Sequence, residues 1–173
     1  MATSDQNLSQ FDLSKLDDCS SLRIGMVIAE WNRDVTYKMR EGAIATLKDA
    51  GVKHQNIHTI EVQGSFELIA GARLIATREN LDAVICIGCV IKGETPHFEV
   101  INHAVATGIA ELNVISGLPF IFGVLTTDNQ EQALERAGGQ HGNKGSEAAF
   151  TALKMGLLKK DLGKSPTGVG FRS

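Results

Sequence analysis

Residues 92–99 read KGETPHFE and sit where an apolar run gives way to a helical pattern. Thr95 is a good helix N-cap and Pro96 a natural first helical residue, so one reading is a well-started helix. The other reading is chemical. Free backbone N–H groups and the helix dipole at such a corner attract an anion such as phosphate. Gly93 lets the backbone approach closely. Glu94 would repel an anion through its carboxylate, so its backbone N–H would serve while its side chain turns outward. His97 takes the second position of that helix, where the positive helix end disfavours imidazolium. A neutral imidazole is what a proton acceptor must be. The plain alternative is an exposed surface histidine. His54, His58, His103 and His141 have no comparable setting, and no third ligand joins His54 and His58 at metal-site spacing.

Two further groups carry side chains of chemical use. Trp31, the one tryptophan of the chain, is followed by Asn32, and Gly64-Ser65-Phe66-Glu67 forms a second cluster. Arg136 and Lys144 flank a glycine-rich segment, GGQHGNKG at 138–145, and are cations beside flexible backbone. Arg136 is the better anion ligand because its planar fork grips oxygens in pairs; for both, the plain reading is a solvated helix-end cation. The segment is not a Walker A loop, since it follows a helix and lacks Gly-Lys followed by Ser or Thr. Gly163-Lys164-Ser165 fails too, because Leu158 stands where the loop's first glycine belongs.

These residues need elements to position them. The chain alternates strand-like and helical runs: strands at 22–29, 57–62, 83–91 and 120–125, and helices at about 34–50, 66–78, 96–115, 129–137 and 146–162. Helix 34–50 shows apolar residues at three- and four-residue steps and is closed by Gly51. Mostly continuous apolar strands alternating with helices predict a parallel sheet covered on both faces. With right-handed crossovers this gives a three-layer α/β/α domain, flavodoxin-like, with four strands in the order 2-1-3-4. Residues 1–21 read as an N-terminal arm, 22–162 as a single domain, and 163–173 as a loose tail. In such sheets ligands collect beyond the carboxyl ends of the strands. Trp31-Asn32, Ser65-Phe66-Glu67, Glu94-Thr95-His97 and Thr126-Thr127 all follow strands, so they gather at one edge.

Composition narrows the classes. The chain has 173 residues, 43% hydrophobic and 21% charged, as in an ordinary globular domain. A net charge of −3 argues against nucleic acid as the main partner. The longest apolar run, 83–91, is too short to span a bilayer, and residues 1–20 carry no secretory pattern, so a cytoplasmic location is expected. Cys86 and Cys89 match C-x-x-C, but residues three apart on a strand face opposite ways, and both read as core cysteines.

Taken together, Trp31-Asn32, Gly64-Ser65-Phe66-Glu67, Gly88 through Glu99, Phe122-Gly123-Val124-Leu125-Thr126-Thr127, Glu131-Gln132-Ala133, Arg136-Ala137-Gly138 and Gly142-Asn143-Lys144-Gly145 resemble the 6,7-dimethyl-8-ribityllumazine synthase family, from about residue 22 to 158. The resemblance implies condensation of 5-amino-6-(D-ribitylamino)uracil with 3,4-dihydroxy-2-butanone 4-phosphate and release of phosphate, the penultimate step of riboflavin biosynthesis. It implies no metal and no organic cofactor. By the same resemblance Trp31 stacks on the pyrimidine, and Asn32 belongs to the substrate site. Ser65, Phe66 and Glu67, with backbone groups of Cys89, Val90 and Ile91, hold the heterocycle and ribityl chain. Glu94, Thr95 and Arg136 take the phosphate, and His97 shuttles protons. Phe122, Arg136 and Lys144 come from the neighbouring subunit of a pentamer; the short loop between the last helices fits members that build icosahedral shells of twelve pentamers, with a pentamer or decamer as the alternative. The family often has proline where Gln63 and Ile69 stand. A flavodoxin-like FMN-binding electron carrier is the main rival, but it leaves His97, Arg136 and Lys144 together unexplained. Intact His97 and Arg136 weigh against a shell-forming paralogue without catalysis.

Overall fold

The computed structural model describes residue 9 and residues 11–163. The expected tail beyond Gly163, and residues 1–8 and 10 of the arm, lie outside the described residues. Four parallel strands form the sheet: β1 (Ile24–Ala29), β2 (Ile57–Val62), β3 (Ala83–Ile91) and β4 (Phe120–Thr127). Their order is β2-β1-β3-β4, as the sequence pattern predicts. The helices are α1 (Arg33–Asp49), α2 (Leu68–Arg78), α3 (His97–Ser116), α4 (Gln130–Glu135) and α5 (Lys144–Gly163).

The sheet is covered on both faces, which is why its central strands have no polar alternation. Every residue of β1 is buried, as are the first seven of β3. Alternate residues feed two cores. Ile24, Met26, Ile28, Ile85 and Ile87 pack with Met39, Leu47 and Leu153 of α1 and α5. Val27, Ala29, Val84 and Cys86 pack with Leu68, Ala72, Val105 and Ile109 of α2 and α3. Each fully buried Val, Leu, Ile or Met side chain among these contributes about 1.5–3 kcal/mol. Cys86 and Cys89 fall in different cores, so C-x-x-C is a product of strand pleat here. Burial pushes both thiols up to about 12. Among the described residues no helix is long and apolar enough to cross a membrane.

The boundaries differ from the sequence reading for identifiable reasons. β4 runs to Thr127, two residues beyond Leu125, because Thr126 and Thr127 stay in register with Val90 and Ile91. β1 starts at Ile24 because Leu22 closes a turn onto the Cys19 carbonyl and the Arg23 N–H bonds Asp82. Residues 138–145 are not merely a loop. They hold a two-stranded antiparallel hairpin, β5 (Ala137–Gly139) and β6 (Gly142–Asn143), made possible by positive φ at Gly138 and Gly142. Asn143 then caps α5, its Oδ1 accepting from Gly145 and Ser146, so that helix begins at Lys144 instead of Ser146. Within residues 11–21, the Phe11 ring stacks on Phe150 of α5 at 4.6 Å and Cys19 is buried.

Candidate active site

Three strand ends converge. Beyond β1, the Glu30 and Trp31 N–H groups donate to the carbonyls of Val62 and Gln63, so the β1–β2 ladder continues past both strands. That pins the Trp31 backbone while leaving its ring 60% exposed. The ring lies directly over Gly64: a methyl group there would stand 2.8 Å from Cε3 and 3.0 Å from Cζ3. Glu67 meets the same glycine, its Oε2 accepting from the Gly64 N–H at 3.1 Å. Trp31 and Glu67 are therefore neighbours across one residue. Ser65 is buried against Gly88 of β3, where a methyl group would come 2.7 Å from Ser65 Oγ. Phe66 points outward and is 52% exposed. Two large aromatic rings left in solvent beside a carboxylate make a surface suited to a flat polar ring carrying hydroxyls.

Cys89, Val90 and Ile91 form the last residues of β3, with Cys89 buried and the next two half-buried. Asn32 reaches this strand, donating from Nδ2 to the Cys89 carbonyl at 2.8 Å. Beyond β3, the Lys92 N–H donates to the Thr127 carbonyl, and residues 92–97 are exposed. The expected cap at Thr95 is not formed. Pro96 holds the cap position in helical geometry, and no side chain caps α3. The Pro96 carbonyl accepts from Glu99 and Val100. A proline at that place cannot offer a side-chain oxygen, so the first N–H groups of a 20-residue helix face outward with His97 as its first residue. An anion is the natural complement of such an end.

Phe122 and Lys144 share a groove that none of the strand-end residues lines. Phe122 projects from the middle of edge strand β4 and is 42% exposed. With Lys144, Glu147 and Thr151 it lines a groove of about 350 Å³. The Lys144 ammonium pairs with Glu147, one turn along α5. Arg136 follows α4 and donates from Nη1 to the Gln132 carbonyl at 3.0 Å; the Gln132 side chain in turn accepts from the Asp128 N–H, just past β4. Glu147 was not singled out from sequence, and Gln132 entered only within the Glu131-Gln132-Ala133 motif, with no role. Their spacings of three and four residues from the cations, on helices, were the available signal.

A doubly wound parallel sheet with aromatic, carboxylate and histidine side chains at its carboxyl edge defines a small-molecule enzyme class that binds there. The comparison with known proteins is narrower. The sequence profile described as 6,7-dimethyl-8-ribityllumazine synthase matches residues 21–160, and the chain belongs to that family of enzymes. The 6,7-dimethyl-8-ribityllumazine synthase of Parabacteroides distasonis is 53% identical over 155 residues, covering 90% of this chain and 97% of that one. That of Cytophaga hutchinsonii is 52% identical with the same coverage. That of Porphyromonas gingivalis is 50% identical over 160 residues, 92% of this chain and 99% of its own.

Proposed function

We propose that the strand-end groove makes 6,7-dimethyl-8-ribityllumazine from 5-amino-6-(D-ribitylamino)uracil and 3,4-dihydroxy-2-butanone 4-phosphate, releasing phosphate. The observation that carries this reading is the seating of the Trp31 ring and the Glu67 carboxylate on one glycine, Gly64. Trp31 stacks on the pyrimidine, and the remaining acceptor positions of Glu67, with Ser65 and the backbone of Phe66 and of residues 89–91, hold the heterocycle and ribityl hydroxyls. The uncapped start of α3, through the Glu94 and Thr95 backbone, receives the phosphate with Arg136.

The chemistry asks for position more than for power. The ring amine adds to the ketone carbon and water leaves, giving an imine. Loss of a carbon-bound proton then expels phosphate, and the second amine closes the ring with loss of another water. His97 moves protons between these steps. Holding two substrates in register supplies much of the acceleration. No metal or organic cofactor is required by these steps, and the enzyme works in the cytoplasm.

Phe122, Arg136 and Lys144 complete the groove of an adjacent copy in a pentamer, with twelve pentamers forming an icosahedral shell. The groove that Phe122 and Lys144 line without any strand-end residue supports this sharing, as does the exposure of Phe122 on an edge strand. Mixing the protein with both substrates and following lumazine absorbance tests the reading. Formation above the uncatalysed rate is expected. A rate equal to the uncatalysed one, as an electron carrier or an inert shell protein would give, overturns it.

A further inference from the structure

We infer that Asn32 is a positioning residue that fixes the gap between the Trp31 ring and the carboxyl end of β3. Asn32 is the one non-glycine residue with positive φ among the described residues, at φ 57 and ψ 45. Asparagine tolerates this left-handed region better than most residues, though at some cost. It sits at the start of α1, where an asparagine side chain ordinarily caps its own helix. Here it makes no such cap. Its Nδ2 instead reaches 57 residues along the chain to the Cys89 carbonyl, at 2.8 Å.

The location gives this bond its consequence. The β1–β3 pairing ends at Ile28 and Ile87, whereas on the other side Glu30 and Trp31 stay bonded to Val62 and Gln63. Residues 30–32 are thus tied to β2 by backbone hydrogen bonds and to β3 by the Asn32 side chain. The Asn32 carbonyl meanwhile accepts from Val35 and Thr36, which locks α1 to the same residue. Trp31 therefore hangs between two ties, and cutting the Asn32 tie frees one side of the ring's mount. Hydrogen-bond donors that fix a neighbouring group's orientation commonly matter as much as the groups that touch ligand.

The functional half of this inference rests on the proposed role of Trp31 as the pyrimidine's stacking partner; the structural half does not. The test uses Asn32→Gly, which accepts positive φ freely while removing the tie, with Asn32→Asp as a second variant. Aspartate keeps the shape but sets an acceptor against the Cys89 carbonyl. Trp31 is the one tryptophan of the chain, so its fluorescence reports the mount without any substrate. In both variants the substrate-free anisotropy of Trp31 falls, the melting temperature stays within a few degrees, and KM for the aminopyrimidine rises about three- to tenfold, more than kcat falls. Unchanged anisotropy overturns the inference, whether binding weakens (a direct substrate contact) or only the melting temperature drops (a fold role). Lowered anisotropy with unchanged KM, in a protein that makes lumazine, leaves the tie in place and sinks the stacking role of Trp31 instead.

Discussion

Gly64→Ala perturbs the site through a single methyl group. Built on the observed backbone, that carbon stands 2.8 Å from Trp31 Cε3, 3.0 Å from Cζ3 and 3.1 Å from Glu67 Oε2. Carbon atoms pack comfortably at about 3.5–4.0 Å, so the ring must lift by about 0.7–1 Å. The fold tolerates this because the ring is mostly exposed and can swing outward. We expect a stability loss of about 1 kcal/mol or less, or roughly 2–4 °C in melting temperature for a domain of this size. Catalysis should suffer more. A displacement near 1 Å of a positioned group costs up to about a hundredfold, so kcat/KM should fall about 10- to 100-fold, equivalent to about 1.4–2.7 kcal/mol of transition-state stabilisation. The assay is steady-state lumazine formation with the aminopyrimidine varied, beside thermal unfolding. Gly163→Ala, where a methyl group meets nothing within 4 Å, is the control. Full activity in Gly64→Ala would refute the claim that Trp31 packs on substrate from its seat over this glycine.

Arg136→Ala should raise KM for the phosphate substrate and lower kcat/KM by about 10- to 100-fold through loss of charge-assisted contacts, with assembly by light scattering unchanged. His97→Ala should lower kcat/KM by less than Arg136→Ala does, since water can replace a proton shuttle; comparing the two kcat/KM values checks the ranking. Gly145→Ala should destabilise the fold by about 3 kcal/mol in urea titration, because its methyl group runs into the Met39 backbone carbonyl where α5 crosses α1. Cys86 and Cys89 should resist iodoacetamide in the folded protein at pH 9 and react once it is denatured. Their thiols, raised from 9.0 to about 12, hold protons that unfolded thiols release. By the same linkage their contribution to stability is present below about pH 9 and declines as pH rises toward 12, so the urea midpoint should fall across that window.

The layered fold was legible because burial on both faces leaves a simple signature. β1 and β3 read as unbroken apolar runs, and the helices show their inner faces at three- and four-residue steps. The opposite facing of Cys86 and Cys89 followed from pleat alone. The β5–β6 hairpin was not legible, since two strands of three and two residues carry no periodicity and glycine signals only a turn. The vacant cap at α3 was missed because Thr95 and Pro96 fit two registers of one helix start, and local propensity cannot choose between them. Asn32's reach to Cys89 was hidden for another reason: a contact across 57 residues has no local pattern. The convergence of Trp31 and Glu67 was foreseeable in outline from the strand-end rule, but their meeting on Gly64 needed coordinates.

In the proposed function the groove is built from two copies of the chain. A protein carrying Trp31→Ala and His97→Ala and another carrying Arg136→Ala, each nearly inactive alone, would be unfolded together and reassembled in equal amounts. Random assembly puts an intact strand-end cluster beside an intact Arg136 at about a quarter of the interfaces, so lumazine synthesis should return to about a quarter of the unmutated rate. Activity no greater than the average of the two parents would contradict it.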